Sequence, residues 1–244
     1  MILIGTCGFC KAMRSYFQDF KTVEVQHTFY KILKDETLRR WREMAPKDFI
    51  FSIKAFQGIT HPQDSPTWRK SNLKPHADVG HLKPTDVVFK YWEITLKEAQ
   101  ILNAEVILIQ LPRSFKENDA SFKNAEGFFS GIDRRGFEIA VELREWSRNG
   151  IEKFVRRFDV IDVVDPLVRK PVRIHDINYY RLHGAYDRGR IIYRYRYSSE
   201  ELYRIARSVK EWNAHTSYVY FNNSYMCEDA RRLMDLISDP YIIF

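Results

Sequence analysis

Cys7-Gly8-Phe9-Cys10 follows a short apolar run, Ile2–Gly5, and stands where a helix opens at Lys11. A C-x-x-C at a strand-to-helix junction suits thiol–disulfide exchange, because the positive end of a helix dipole stabilises a thiolate. This spacing makes Cys7 a candidate reactive thiol with Cys10 as its disulfide partner, and Cys227 is left with no local partner. A second set of residues suits proton transfer and anion binding. Glu24, Lys54, Glu142, Arg144, Asp162, Arg181 and His183 all fall within runs that otherwise read as β-strands. Burying such charges is costly, so they must pair with one another or hold a ligand.

Each residue type permits a role. Arg144 and Arg181 suit a clamp on phosphate or carboxylate, Glu24 or Glu142 a general base, and His183 a general acid. Lys54 has the chemistry of a Schiff-base nucleophile, although an ion pair with Glu24 on the preceding strand is the simpler reading. His61, Gln110, Asp162 and Asn222 complete the candidate binding surface. The competing reading is a closed salt-bridge network with no ligand, since the three acids match the three bases in number. By residue type, Glu24, His61, Glu142, Asp162 and His183 could also hold a metal. No H-x-H or H-E-x-x-H spacing occurs, and the Arg and Lys among them oppose a divalent cation, so no metal or other cofactor is assigned.

The elements that must position these residues alternate along the chain. Strands are expected at Ile2–Gly5, Thr22–Phe29, Phe49–Phe56, Val106–Pro112, Phe137–Arg144, Val160–Asp165, Tyr179–His183 and Tyr218–Asn223. Helical periodicity marks Asp35–Met44, Thr95–Leu102, Gly150–Phe158, Ser199–Ala214 and Cys227–Ile237. Strand alternating with helix implies a parallel sheet, and eight repeats in 244 residues fit one α/β domain, a closed (β/α)8 TIM barrel covering residues 1–244. Within 22-TVEVQHTF-29 and 137-FEIAVELR-144 apolar and polar residues alternate. Helices cover the outer face of such a sheet, so the polar residues point inward. Most lie in the C-terminal halves of their strands, where barrel enzymes place binding and catalytic groups. The long connection Gln57–Ile94 after the third strand leaves from that same end.

At these residues the sequence resembles the family called domain of unknown function 72, the YecE-like proteins. The matching pieces include Gly5-Thr6 with Gly8, Thr22–Glu24, Thr28–Tyr30, Lys54 with Ile59-Thr60-His61, and Gln110-Leu111-Pro112. They continue through Val141-Glu142 with Arg144 and Trp146, Tyr180–Gly184, Arg196-Tyr197-Ser198 and Phe221-Asn222-Asn223. The resemblance implies a TIM barrel and carries no established activity. Two departures are Gln26-His27, where the family usually reads Asn-Ser after Glu and a hydrophobic residue, and Cys7, where it usually has Ser.

The stretch 188-RGRIIYRYRYS-198 interleaves Arg188, Arg190, Arg194 and Arg196 with three tyrosines, a pattern that serves nucleic-acid phosphates and stacked bases. A β-ribbon with packed tyrosines and solvated arginines explains it more simply. Lys and Arg number 39 against 32 Asp and Glu, a formal charge of +7 that favours anionic partners. No apolar run reaches the roughly 18–20 residues that span a bilayer, and no secretory leader is visible. A cytoplasmic protein with reduced thiols is therefore expected, except in the oxidising cytosol of a thermophile. The expected activity is binding, and transformation, of a small phosphate- or carboxylate-bearing ligand. Nucleic-acid binding or phosphodiester processing is the alternative. The reaction stays open between hydrolase and lyase or isomerase, and the oligomeric state is not fixed.

Overall fold

The computed structural model describes residues 1–187, 190–212 and 214–239. Ten strands are formed among them: β1 Ile2–Thr6, β2 Thr22–Val25, β3 Ile50–Lys54, β4 Ala104–Gln110, β5 Glu138–Glu142, β6 Ile161–Val164, β7 Ile177–Leu182, β8 Ala185–Asp187, β9 Arg190–Ile192 and β10 Thr216–Phe221. Eight make one sheet in the order β1-β10-β7-β6-β5-β4-β3-β2, while β8 and β9 pair separately as an antiparallel ribbon. The registers of β1 with β10, β10 with β7, β7 with β6, β6 with β5, β5 with β4 and β4 with β3 are all parallel. A parallel bridge between Cys7 and Glu24 joins the end of β1 to β2, so the two ends of the order meet. The fold is the expected (β/α)8 TIM barrel.

Helices α1 Met13–Asp19, α2 His27–Tyr30, α3 Asp35–Met44, α4 Gln57–Thr60, α5 Asp86–Leu102, α6 Asp119–Gly131, α7 Arg148–Phe158 and α8 Ser199–Glu211 lie between the strands, and α9 Met226–Ser238 follows β10. Their buried faces follow the helical repeat. In α7 these are Ile151, Phe154, Val155 and Phe158, and in α8 Leu202, Ile205, Ala206 and Val209. No helix among the described residues is long and apolar enough to cross a membrane.

The chain divides into two compact units. One comprises Met1–Glu24, Pro46–Phe49 and Val163–Phe244, and the other Val25–Ala45 and Ile50–Asp162. In the first, Tyr16 is wholly buried; its hydroxyl accepts from the Thr6 amide at 2.9 Å and donates to the Thr22 carbonyl at 2.9 Å, fixing α1 against β1 and β2. In the second, Ile53, Val106–Ile109 and Ile139 are wholly buried, as are Leu96, Ala99 and Leu102 of α5.

Three expectations are corrected. The second strand stops at Val25, and Phe29 belongs to α2, because Thr28 donates its hydroxyl to the Lys54 carbonyl at 2.7 Å and turns the chain into a helical turn. The connection after β3 is shorter than Gln57–Ile94, since α5 opens at Asp86. Cys10 is bonded to Cys227 across 217 residues, and Cys7 is the buried free thiol. Proximity in sequence favoured the wrong pair, whereas the fold brings the loop after β1 to the first turn of α9.

Candidate functional site

Parallel register aligns the polar residues of the second unit. Gln110 of β4 pairs with Glu142 of β5, and Lys54 of β3 pairs with Leu108, two positions before Gln110 and on the same face. Lys54 donates from Nζ to Gln110 Oε1 at 3.0 Å and lies 3.8 Å from the centre of the Phe29 ring, whose face attracts the ammonium. Arg144, just past β5, donates from Nε to Glu142 Oε1 at 2.7 Å. Lys54, Gln110 and Glu142 retain only 5%, 8% and 7% exposure.

His61 follows α4, and its ring meets Phe29 edge-on at 5.0 Å. Its Nδ1 shares a 2.8 Å hydrogen bond with Thr60 Oγ1. Burial lowers its proton affinity first, and the cations Lys54 and Arg144 and the nearby His81 lower it further, to a pKa of about 3. The imidazole is therefore neutral at ordinary pH. Phe29, Thr60 and His81 were not among the sequence candidates; the available signals were the Thr28–Tyr30 and Ile59–His61 pieces that carried the resemblance, and none pointed to His81. Asp162 is buried on β6, in register with Val141.

The first unit holds a separate charged cluster. Tyr179, Arg181, Tyr218 and Tyr220 share one face of β7 and β10. Glu24, fully buried, accepts from Arg181 Nη2 at 2.9 Å through Oε1 and from the Tyr179 hydroxyl at 2.8 Å through Oε2. The same guanidinium nitrogen lies 3.6 Å from Cys7 Sγ. The spacing suggested a thiolate at Cys7 stabilised by a helix start. Burial, then the Glu24 carboxylate, instead push the thiol well up, outweighing Arg181. Cys7 is thus a protonated core thiol, which corrects the reactive-thiol expectation.

His183, past the end of β7, is buried; its Nδ1 lies 3.0 Å from Asn222 Nδ2, and its ring meets Tyr193 edge-on at 6.3 Å. Gly184 follows at φ +103°, and a side chain there would collide with the Ile192 carbonyl, so the β8–β9 ribbon can fold back over this strand end. The ribbon is shorter than the Arg/Tyr stretch suggested. Arg190, Arg194 and Arg196 are exposed, Tyr197 is buried, and Tyr193 is 46% exposed. Arg188 lies outside the described residues. Among the described residues no group of three or more His, Cys, Asp or Glu side chains could hold a metal ion.

No curated protein matches the sequence. Among solved structures, the chain is similar to a DUF72 family protein from Enterococcus faecalis V583, with 16% identity over 99% of this chain and 97% of that one and a TM-score of 0.76. It is similar to another from Thermotoga maritima MSB8, with 22% identity, 98% and 100% covered and a TM-score of 0.72. A xylose isomerase domain containing protein from Salmonella typhimurium LT2 shares the barrel at 11% identity, with 94% of both chains covered and a TM-score of 0.58. At such identities the likeness is one of fold. The sequence profile of the family described as protein of unknown function DUF72 matches residues 10–240. The protein therefore belongs to the DUF72 family.

Proposed function

We propose that the protein binds, and transforms by proton transfer, a small ligand bearing phosphate or carboxylate at Lys54, His61, Gln110, Glu142 and Arg144. The observation that carries this reading is the buried polar row in which Lys54 donates to Gln110 at 3.0 Å, Gln110 is in register with Glu142, and Arg144 donates to Glu142 at 2.7 Å, beside an imidazole whose proton affinity is lowered by burial and then by Lys54 and Arg144. Two cations that oppose a third charge at this point favour an anion there. In this reading Arg144 and Lys54 clamp the anionic group, Gln110 orients Lys54, and the Glu142 carboxylate takes a proton from the ligand. His61 supplies a neutral hydrogen-bonding imidazole. Glu24 and Arg181 hold each other and position β2 and β7, and His183 and Asn222 form a polar pair of their own past the end of β7.

Calorimetric titration with inorganic phosphate and with malonate tests the reading. Saturable millimolar-or-better binding is expected, weakened about ten-fold or more by Arg144→Gln and by Lys54→Met. Binding that neither substitution changes, or no binding of either anion, overturns it.

A second reading rests on the exposed Tyr193 beside exposed Arg190 and Arg194, a stacking ring next to phosphate-binding cations. Here a single-stranded oligonucleotide should bind at low salt and be released as salt rises. An absence of low-salt affinity dismisses this reading.

A further inference from the structure

Behind Phe29, the next residue of α2 opens on a different space. Tyr30, Lys31 and His27 form one wall of a cavity of about 450 Å³, and Arg69, Lys70 and Asn72, from the connection after β3, form the other. Lys31, Arg69 and Lys70 are exposed, no acidic residue lines the cavity, and among the described residues none of the three makes an ion pair. The frame around them is fixed. Asn72 accepts from the Ile32 amide at 3.4 Å and donates to the Ile32 carbonyl at 3.3 Å, tying the two walls together. The buried Trp68 donates to the Pro62 carbonyl at 2.9 Å and anchors the 3-10 turn Pro66–Lys70. The Tyr30 ring holds Lys70 with Nζ 5.0 Å from its centre. Gln57, wholly buried, fixes Tyr30 in turn by donating to its carbonyl at 3.3 Å.

We propose that this cavity is a second anion site, which takes a phosphate group carrying two or more negative charges. Three uncompensated cations around one fixed concavity exceed what a single carboxylate neutralises, and they match a phosphomonoester or polyphosphate. The size is that of a small-ligand pocket. The field is also felt at His27, whose proton affinity is lowered by burial and then by Lys31. This site is independent of the cluster at Lys54 and Arg144, since Phe29 faces that cluster while Tyr30 faces the cavity.

Titration with tripolyphosphate at low and at moderate salt tests the proposal. Lys31→Gln and Lys70→Gln, both surface changes, are each expected to weaken binding about five-fold or more. Lys74→Gln alters an exposed lysine of the same connection outside the cavity and should leave the affinity unchanged. Loss of binding in Arg144→Gln with Lys31→Gln unaffected would place the anion at the other cluster and overturn this site alone. Equal loss in Lys74→Gln would show diffuse surface attraction and overturn it too, as would the absence of saturable binding. A single-stranded oligonucleotide titrated in parallel identifies the source of the phosphate. If it competes with tripolyphosphate and depends on Lys31, the site serves a polymer backbone; if only tripolyphosphate and mononucleotides depend on Lys31, it serves a free phosphorylated ligand.

Discussion

Glu98 of α5 is 3% exposed; its Oε1 accepts from the Leu33 amide at 2.8 Å, and its Oε2 has no partner among the described residues. Burial raises its pKa from 4.5 to about 8, partly offset by the Leu33 amide. Between those values the unfolded chain has released a proton that the folded chain keeps, so stability falls as pH rises through the window. Glu98→Gln, which keeps the acceptor for Leu33, should therefore gain on the native protein as pH rises from 4.5 to 8, at most by about 1.4 kcal/mol per pH unit. Urea midpoints measured across that range check this; parallel curves for the two proteins would show that Glu98 is ionised when folded. His61 works in the opposite sense, because its folded pKa is depressed. Its contribution to stability is whole above the unfolded value near 6.5 and is lost as pH falls from there toward about 3. The alternation of 137-FEIAVELR-144 placed Glu142 correctly on a shared strand face. His61 and His27 sit on short helical turns with no strand period to reveal what they would face.

The elements differ in how openly the sequence declares them. Asp35–Met44 is both the expected and the observed α3, because its apolar positions recur at the helical repeat and its first turn is acidic. Helix α6 carries no such declaration: Gly127 and Gly131 weaken its propensity. They are there for contact, since a side chain on either would come within 2.7 Å of Pro84 or Phe89. Helix α9 is legible, yet its covalent tie is not, because Cys10 and Cys227 lie 217 residues apart and only the assembled strands bring their loops together. Such a tie stabilises chiefly by restricting the unfolded chain. Cys227→Ser should cost about 2–4 kcal/mol and lower the urea midpoint under non-reducing conditions. An unchanged midpoint, or reactive thiols at both Cys10 and Cys227 in the folded protein, would contradict the pairing. Cys7 should resist alkylation until the protein unfolds.

Across the whole molecule, the barrel was legible because it needs only the strand–helix alternation and the inward polar period, and both are local. What was not legible depends on closure. The contact of Cys7 with Glu24 completes the ring, and Arg181 reaches Glu24 only once β1, β10 and β7 are in register. The same closure gives the Cys10–Cys227 bond a mechanical meaning. A force applied through handles outside residues 10 and 227 still loads β1, but it bypasses β2 to β10, because between those residues the load passes through one covalent bond instead of the strands. Roughly 750 Å of chain, at about 3.5 Å per residue, stays shielded from tension until a reductant cuts that bond. For a pulled chain, then, chemistry sets when strands β2 to β10 can be stretched.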